Sequence, residues 1–269
     1  DRCGSPARTS RGVAVTPWAP QRWLTWLLKD SAVYGGAAAL NKGMALVTFP
    51  ILTRAFSVDD YGAMDLFNVV ANLAALAIVW GQDSAVVRQL ADESETSRRR
   101  DIVSTSLILQ AALAVVATGT LLLAATPTAN WFSTHADAPV LLALVAVQLP
   151  LLVVTANVQG LLRWTFRRNE YLMLTIVPTA VAAIGVWLLS RAGLLSLVGL
   201  FVFTLTVRLV AAMLGLWMCR ALVGWPGSAQ HLAGLWKLAW PLGLVSALGA
   251  TVPLMERMAV PATARASLA

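Results

Sequence analysis

The chain has 269 residues, of which 58% are apolar and only 12% are charged, and its mean hydropathy is +0.71. Soluble globular proteins carry about 25% charged residues, so this composition excludes a water-soluble enzyme and an intrinsically disordered chain. The net charge of +7 would by itself suggest nucleic acid. No basic patch with interleaved aromatic residues accompanies it, so we expect no nucleic-acid partner.

Seven apolar stretches are long enough to cross a membrane as helices, for which about 20 residues are needed. In chain order the spans are predicted at Ala32–Leu52, Met64–Val87, Ile102–Ala125, Val140–Val158, Leu172–Leu189, Leu194–Cys219 and Leu238–Val260. The sequence therefore predicts an all-α integral membrane protein, a polytopic helical bundle of about seven transmembrane helices.

The basic residues are distributed unevenly between the two sides of this predicted bundle. The N-terminal arm and the connections after the second, fourth and sixth spans together hold 14 Lys and Arg residues. The connections on the opposite side hold two, Arg54 and Arg191. The positive-inside rule then places the N-terminus in the cytoplasm of a multi-pass plasma-membrane protein. Anionic lipid headgroups are the expected partners of most of this charge.

Several polar residues fall inside the predicted spans, where an ionisable side chain is costly. Lys42 and Arg208 are cations at mid-depth, which indicates a path for an anion, although a long side chain can also reach the interface. Asp65, Asn68 and Asn72 follow an i, i+3, i+7 stripe on one helix face. The two asparagines either fix helix packing through interhelical hydrogen bonds or line a path.

Other site chemistry is sparse. His135 and His231 are predicted on opposite sides of the membrane, so they cannot form a shared metal site. No phosphate-binding glycine motif is present, and no cofactor is expected. Asp59 and Asp60 could be proposed as a catalytic carboxylate pair, but the segment starting at Ser57 is more typical of a helix N-terminus.

With these residues in view, the sequence resembles the oligosaccharide flippases of the polysaccharide biosynthesis transporter family, within the multidrug-and-toxin exporter superfamily. The resemblance starts at Tyr34-Gly35-Gly36 and continues through FPILTRAFSVDDYG at Phe49–Gly62. It includes GQDSAVVRQLADE at Gly81–Glu93 and the basic run before Asp101-Ile102. Glu256-Arg257 in the seventh span corresponds to an Asp-Arg pair that is frequent in the family.

The resemblance implies a transporter rather than an enzyme, one that flips an undecaprenyl-pyrophosphate-linked oligosaccharide to the outer leaflet for cell-surface polysaccharide assembly. Its partners would be the lipid-linked oligosaccharide, membrane lipids and a polysaccharide polymerase or glycosyltransferase. Asp65 and Asp83 are then candidates for ion coupling. The candidate substrate-binding cations are Lys42, Arg54, Arg88, Arg208 and Arg257.

Family members have two similar lobes, and the chain length predicts only the first lobe and the start of the second. We expect a cytoplasmic arm at 1–30, with a short amphipathic segment at Gln21–Asp30, and an N-terminal transmembrane lobe at 31–220. A cytoplasmic loop and the first helix of a truncated second lobe follow at 221–260, and a tail at 261–269.

Competing interpretations remain at this stage. The nearest in mechanism is a cation-coupled drug or metabolite exporter of the same superfamily, and a non-functional truncated fragment is another. A seven-helix receptor or retinal protein would have its N-terminus outside, and a polysaccharide polymerase would need a large outer loop. The cations at Lys42 and Arg208 favour an anionic substrate.

Overall fold

The computed structural model describes residues 20–125, 136–224 and 234–248. These residues form helices connected by short turns, with no strand in the described ranges. Seven helices are α1 (Pro20–Ala55), α2 (Val58–Val79), α3 (Gln82–Asp92), α4 (Thr96–Leu123), α5 (Ala138–Trp164), α6 (Arg168–Arg191) and α7 (Leu197–Cys219). A further helix, α8, covers 234–248. The predicted all-helical membrane bundle is confirmed.

Five helical segments in the described part of the chain are long and apolar enough to cross a membrane. They correspond to the second to sixth predicted spans, and α2 and α3 count together as one segment. The first predicted span is helical within α1 but is not among the five, since Asn41 and Lys42 interrupt its apolar run. The seventh is described only as far as residue 248.

Helix α1 is a single helix of 36 residues. It contains both the predicted amphipathic segment at Gln21–Asp30 and the first span, so no break separates them at residue 30. Pro50 lies inside it without ending it.

Helix α5 lies at the centre of the bundle and contacts α2, α3, α4, α6 and α7. Its buried positions extend along most of its length, from Ala138 to Leu162. Helix α1 packs mainly against α6 and touches α2. A helix that packs against five others and keeps exposed apolar positions such as Val140 and Val147 is hydrophobic on all sides.

The start of α2 gives Asp60 a structural role. Ser57 is the N-cap, its hydroxyl accepts the Asp60 N–H at 3.2 Å, and the Asp60 carboxylate accepts the Ser57 N–H at 3.2 Å. This reciprocal capping box stabilises the helix start. The helix N-terminus predicted for this segment is therefore confirmed.

The break between α2 and α3 is a left-handed turn packed against α8. Trp80 has φ 34° and Gly81 has φ 71°, conformations that L side chains rarely adopt. A Cβ on Gly81 would lie 2.4 Å from the Gly243 nitrogen, and one on Gly243 would lie 2.5 Å from the Trp80 ring. We call this contact the α2–α3/α8 junction, and it requires glycine on both sides.

The connections rich in arginine meet at one end of the bundle, which we call the Arg-rich end. Arg167 at the start of α6 donates to the Met218 carbonyl near the end of α7, at 2.9 Å. After α7, the Gly224 N–H donates to the Ser104 hydroxyl of α4, at 2.7 Å. The charge asymmetry in the sequence therefore corresponds to one physical end of the folded bundle.

Candidate functional site

A cavity of about 270 Å³ lies between α1, α2, α6 and α7. Most of its lining is apolar, with Leu52 and Phe201 among the larger side chains. Five polar side chains also line it: Asn41, Thr48, Asn68, Thr179 and Thr204. We call this space the lobe cavity.

The polar groups of the lobe cavity are mainly hydrogen-bond acceptors. The hydroxyls of Thr179 and Thr204 donate to carbonyls one turn back in their own helices, at 2.9 and 2.7 Å. Their oxygens therefore keep acceptor lone pairs for another molecule. The Asn41 side-chain oxygen is buried with no hydrogen-bond partner among the described residues. The cavity thus suits a ligand that donates hydrogen bonds.

The asparagine stripe on α2 does not bridge helices through its amide nitrogens. Asn68 donates to the Met64 carbonyl at 2.9 Å, and Asn72 donates to the Asn68 carbonyl at 2.8 Å. Both bonds lie within α2, so the interhelical bonds expected of these amides are wrong. Asn68 lines the lobe cavity, whereas Asn72 is exposed.

Arg208 lies one turn beyond Thr204 on the same face of α7, because residues four apart share a helix face. It is half-buried, and one terminal nitrogen of its guanidinium is fully buried without a hydrogen-bond partner in the described part of the chain. By helix rise, Arg208 lies about 16 Å from the start of α7. An unpaired guanidinium at this depth is costly unless it meets an anion.

Lys42 and Arg54 lie on α1 but do not line the lobe cavity. Lys42 follows the cavity residue Asn41 and is exposed on the neighbouring face, about 20 Å by helix rise from the end of α1. Arg54 is exposed in the last turn of α1, where a cation also stabilises the helix C-terminus.

The remaining predicted site residues are spread over other parts of the bundle. Asp65 is half-buried on α2, one turn before Asn68, and Arg88 is exposed on α3. Asp83 lies in the first turn of α3 and lines a small pocket of about 30 Å³ with Ser106 and Asn157. Arg257 lies outside the described residues. Arg208 and Asp65 therefore adjoin the lobe cavity along a helix face, as does Lys42, which lies three residues before the lining residue Ala45.

A buried polar network between α4 and α5 was missed at the sequence level. The Asn157 amide donates to Gln110, and the Gln110 amide donates to the Ser106 hydroxyl at 3.3 Å. Nearby, Gln148 of α5 donates to the Phe201 carbonyl of α7 at 3.2 Å. Amide side chains in the two charge-free spans could have predicted this network, since such side chains form hydrogen bonds between membrane helices.

The histidines do not lie in the part of the chain that the structure describes, because residues 126–135 and 225–233 are outside it. Within the described ranges, no group of three or more His, Cys, Asp or Glu side chains could hold a metal ion.

The sequence profile of the polysaccharide biosynthesis protein family matches residues 27–250, which is well over half of the chain. The chain belongs to this family. A comparison with curated proteins finds no match.

Among solved structures, the fold is similar to that of a MOP superfamily transporter from Pyrococcus furiosus, with a TM-score of 0.63 and 16% sequence identity. That structure is described as having a binding pocket of reversed polarity that suggests a different function. The alignment covers 84% of this chain and 53% of the Pyrococcus protein, so the chain spans about half the length of that transporter. The family match and the long apolar helices make this chain a multi-pass membrane protein of the polysaccharide biosynthesis protein family.

Proposed function

We propose that the chain forms one lobe of a flippase that carries an undecaprenyl-pyrophosphate-linked oligosaccharide from the inner to the outer leaflet of the plasma membrane. The observation that carries the proposal is the guanidinium of Arg208, which has a buried nitrogen without a partner among the described residues and lies one turn from an acceptor-lined cavity. Membership of the polysaccharide biosynthesis protein family supports the substrate class.

The two chemical parts of such a substrate fit the two parts of the site. Sugar hydroxyls are hydrogen-bond donors, and the lobe cavity is lined by threonine hydroxyls whose oxygens keep acceptor lone pairs. A pyrophosphate is an anion, and a guanidinium can contact it through two parallel N–H donors. Arg208 provides such a group inside the bundle, and Lys42 and Arg88 are exposed cations that a second lobe would face.

The orientation of the chain in the membrane follows in this proposal from the Arg-rich end. If the positive-inside rule holds, that end and the N-terminus lie in the cytoplasm, and Arg54 lies near the outer mouth to receive the headgroup. Arg257 would belong to the second lobe. A polymerase or glycosyltransferase would use the exported oligosaccharide.

Asp83 and Asp65 are the proposed ion-coupling residues. Asp83 lines a pocket shared with the Ser106 and Asn157 side chains, with room for one or two water molecules. A carboxylate beside a small polar space can exchange a proton or bind a cation as the transporter changes state.

A cation-coupled drug or metabolite exporter of the same superfamily is the second candidate. It is favoured by the lining of the lobe cavity, which holds acceptors and no cationic side chain among the described residues. Such a lining suits a cationic drug as well as a neutral sugar.

The test is replacement of Arg208 by methionine in cells that depend on this protein for surface polysaccharide. Removing an unpaired buried cation should leave the protein equally stable or about 1–3 kcal/mol more stable, while export falls about tenfold or more because the anion loses its partner. Surface polysaccharide and the thermal midpoint of the purified protein are the two measurements.

Arg220→Met is the matched control, because Arg220 is exposed at the end of the same helix. It should change neither quantity, and Lys42→Ala should lower export less than Arg208→Met. Unchanged export in Arg208→Met would contradict an anionic substrate. Lost export together with lost stability would indicate a structural role instead.

A further inference from the structure

A groove of about 560 Å³ opens at the Arg-rich end, separate from the lobe cavity, between α3, the start of α4 and the end of α5. Helix α3 contributes Val87, Leu90 and Ala91, and Leu222 after α7 closes one side. The volume lies in the range of about 300–1,000 Å³ that is usual for small-molecule sites, which combine an apolar lining with a few polar groups. We call it the Arg99 groove.

Two aromatic side chains at the end of α5 form the other wall. Trp164 is 49% exposed and Phe166 is 54% exposed, and both line the groove. Phe166 has φ 55°, a left-handed conformation that is rare for a bulky residue. Exposed aromatic residues at a helix end are typical of the membrane–water interface, so the groove lies at the level of lipid headgroups.

Arg99 is the charged residue among the described side chains that line this groove. Its guanidinium donates to the carbonyls of Leu90 and Glu93, both at 2.9 Å. These two bonds hold the cation at the end of α3, where a cation also complements the helix dipole. Three of its five N–H groups remain to bind an anion.

The acidic residues nearby are paired with a different arginine. Glu93 and Glu95 form ion pairs with Arg98, at 3.6 and 3.4 Å, whereas no ion pair is recorded for Arg99 in the described residues. The positive charge of Arg99 is therefore fixed in position and not neutralised by a carboxylate. Arg163, stacked over Trp164 with 5.8 Å between the guanidinium carbon and the ring centroid, adds a second cation at the rim.

We infer that the Arg99 groove is a binding site for an anionic phospholipid. The acyl chain lies against Leu90, Trp164 and Phe166, and the headgroup phosphate accepts hydrogen bonds from Arg99. Charge complementarity selects this occupant, since an apolar groove with a fixed cation at the interface matches a lipid with an anionic head. The inference does not depend on the transported substrate.

The experiment titrates the purified full chain in detergent with phosphatidylglycerol and phosphatidylcholine of identical acyl chains, and detects bound lipid by native mass spectrometry. The expected result is that phosphatidylglycerol binds at least about tenfold more tightly. Equal affinity for the two lipids would overturn the inference. Inorganic phosphate that binds as tightly as phosphatidylglycerol would also overturn it, because the groove would then contribute nothing.

Two variants distinguish lipid binding in the groove from non-specific lipid binding. Ala91→Trp fills the groove without touching Arg99 and should lower the affinity for phosphatidylglycerol at least about tenfold. Ala192→Trp, at an exposed alanine after α6, is the control and should bind as the unchanged chain does. Wild-type affinity in Ala91→Trp would contradict the site.

The role of the charge is tested by Arg99→Gln, with Arg191→Gln as control because Arg191 is an exposed arginine at the opposite end of the bundle, where it stacks over Trp187. Arg99→Gln should remove the preference for phosphatidylglycerol over phosphatidylcholine, and Arg191→Gln should keep it. Because Arg99 also caps α3, unfolding of Arg99→Gln is checked by its thermal midpoint, and Ala91→Trp then decides alone.

Discussion

The lobe cavity and the α2–α3/α8 junction both place unpartnered polar atoms inside the bundle, but they differ in the space around them. Asn41 is among the residues that line a cavity of about 270 Å³, which has room for water or a ligand beside that side chain. At the junction, the indole nitrogen of Trp80 and the amide of Gln82 are buried without partners among the described residues, and neighbouring backbones are too close for even a Cβ. A polar group beside a cavity can form a hydrogen bond to a bound water or ligand. A polar group in close-packed surroundings cannot, and its desolvation lowers the stability of the fold.

The largest expected effect comes from Gly81→Ala at the junction. The added methyl would meet the Gly243 nitrogen at 2.4 Å and force a non-glycine residue into φ 71°, which together should cost about 3 kcal/mol of stability. Gly193→Ala is the matched control, because Gly193 has φ 68° with open space around it, and it should cost only about 1 kcal/mol. Thermal or denaturant unfolding of both variants measures the difference, and equal losses would refute the tight junction.

The second effect is the loss of transport when the lobe cavity is filled. Ala183→Leu adds three carbons to a residue that lines the cavity, so export should fall about tenfold while the helices remain folded. Ala180→Leu lies on the same helix, and Ala180 does not line the cavity, so this variant should export normally. Surface polysaccharide in complemented cells is the measurement, and equal export by the two variants would remove the cavity from the transport path.

A smaller effect of opposite sign is expected for Trp80→Phe. The ring contact with Trp240, 5.8 Å between centroids, is largely kept, while an indole N–H without a partner is removed. Stability should stay equal or rise by about 1 kcal/mol. Asn41→Leu at the lobe cavity is expected to be closer to neutral, because the cavity beside this side chain has room for water. A clear loss of stability in Trp80→Phe would show that the N–H has a partner.

The smallest effect lies outside both regions, at Glu93. The hydrogen bond from the backbone N–H of Glu95, together with the charge of Arg98 and the hydrogen bond from the Ser94 N–H, holds the pKa of this exposed carboxyl below its usual value, against the opposing effect of desolvation. A lowered pKa in the folded state stabilises the protein above about pH 4.3, the ordinary glutamate value, and this stabilisation is lost as the pH falls through the folded-state value. Thermal midpoints between pH 6 and pH 3 should therefore fall slightly more for the unchanged chain than for Glu93→Gln. Parallel curves would contradict the lowered pKa.

Much of the fold could be predicted because membrane helices leave a strong mark on composition. A span must satisfy its backbone internally and expose apolar side chains to lipid, so α4 to α7 were recognised from apolar runs alone. The prediction was weaker where polar residues interrupt a run. Asn41 and Lys42 lower the hydropathy of α1, and the turn at Trp80–Gly81 breaks the helix inside the span predicted at Met64–Val87, which remains one membrane-length segment.

The candidate site was harder to predict from the sequence than the fold, because the neighbours of a residue depend on how the helices pack. Arg208 was identified from its charge at mid-depth, and the structure adds that its guanidinium lacks a partner and lies one turn from Thr204. The threonines and alanines of the lobe cavity carry no comparable sequence signal. Thr179, for example, looks like any hydroxyl residue bonded to its own helix, a pattern common in apolar spans.

The sequence by itself determined that this chain is a helical membrane bundle with most of its cations on one side, since hydrophobicity and charge act locally along the chain. The tertiary structure alone decided which polar side chains lie beside a cavity and which lie in close-packed surroundings. In the folded chain, Asn41 lines a cavity and Gly81 lies against Gly243. Arg98 forms ion pairs with two glutamates, whereas Arg99 forms no ion pair with a carboxylate among the described residues. Those outcomes depend on the approach of helices distant in sequence, and pairwise distances of that kind are not contained in local composition.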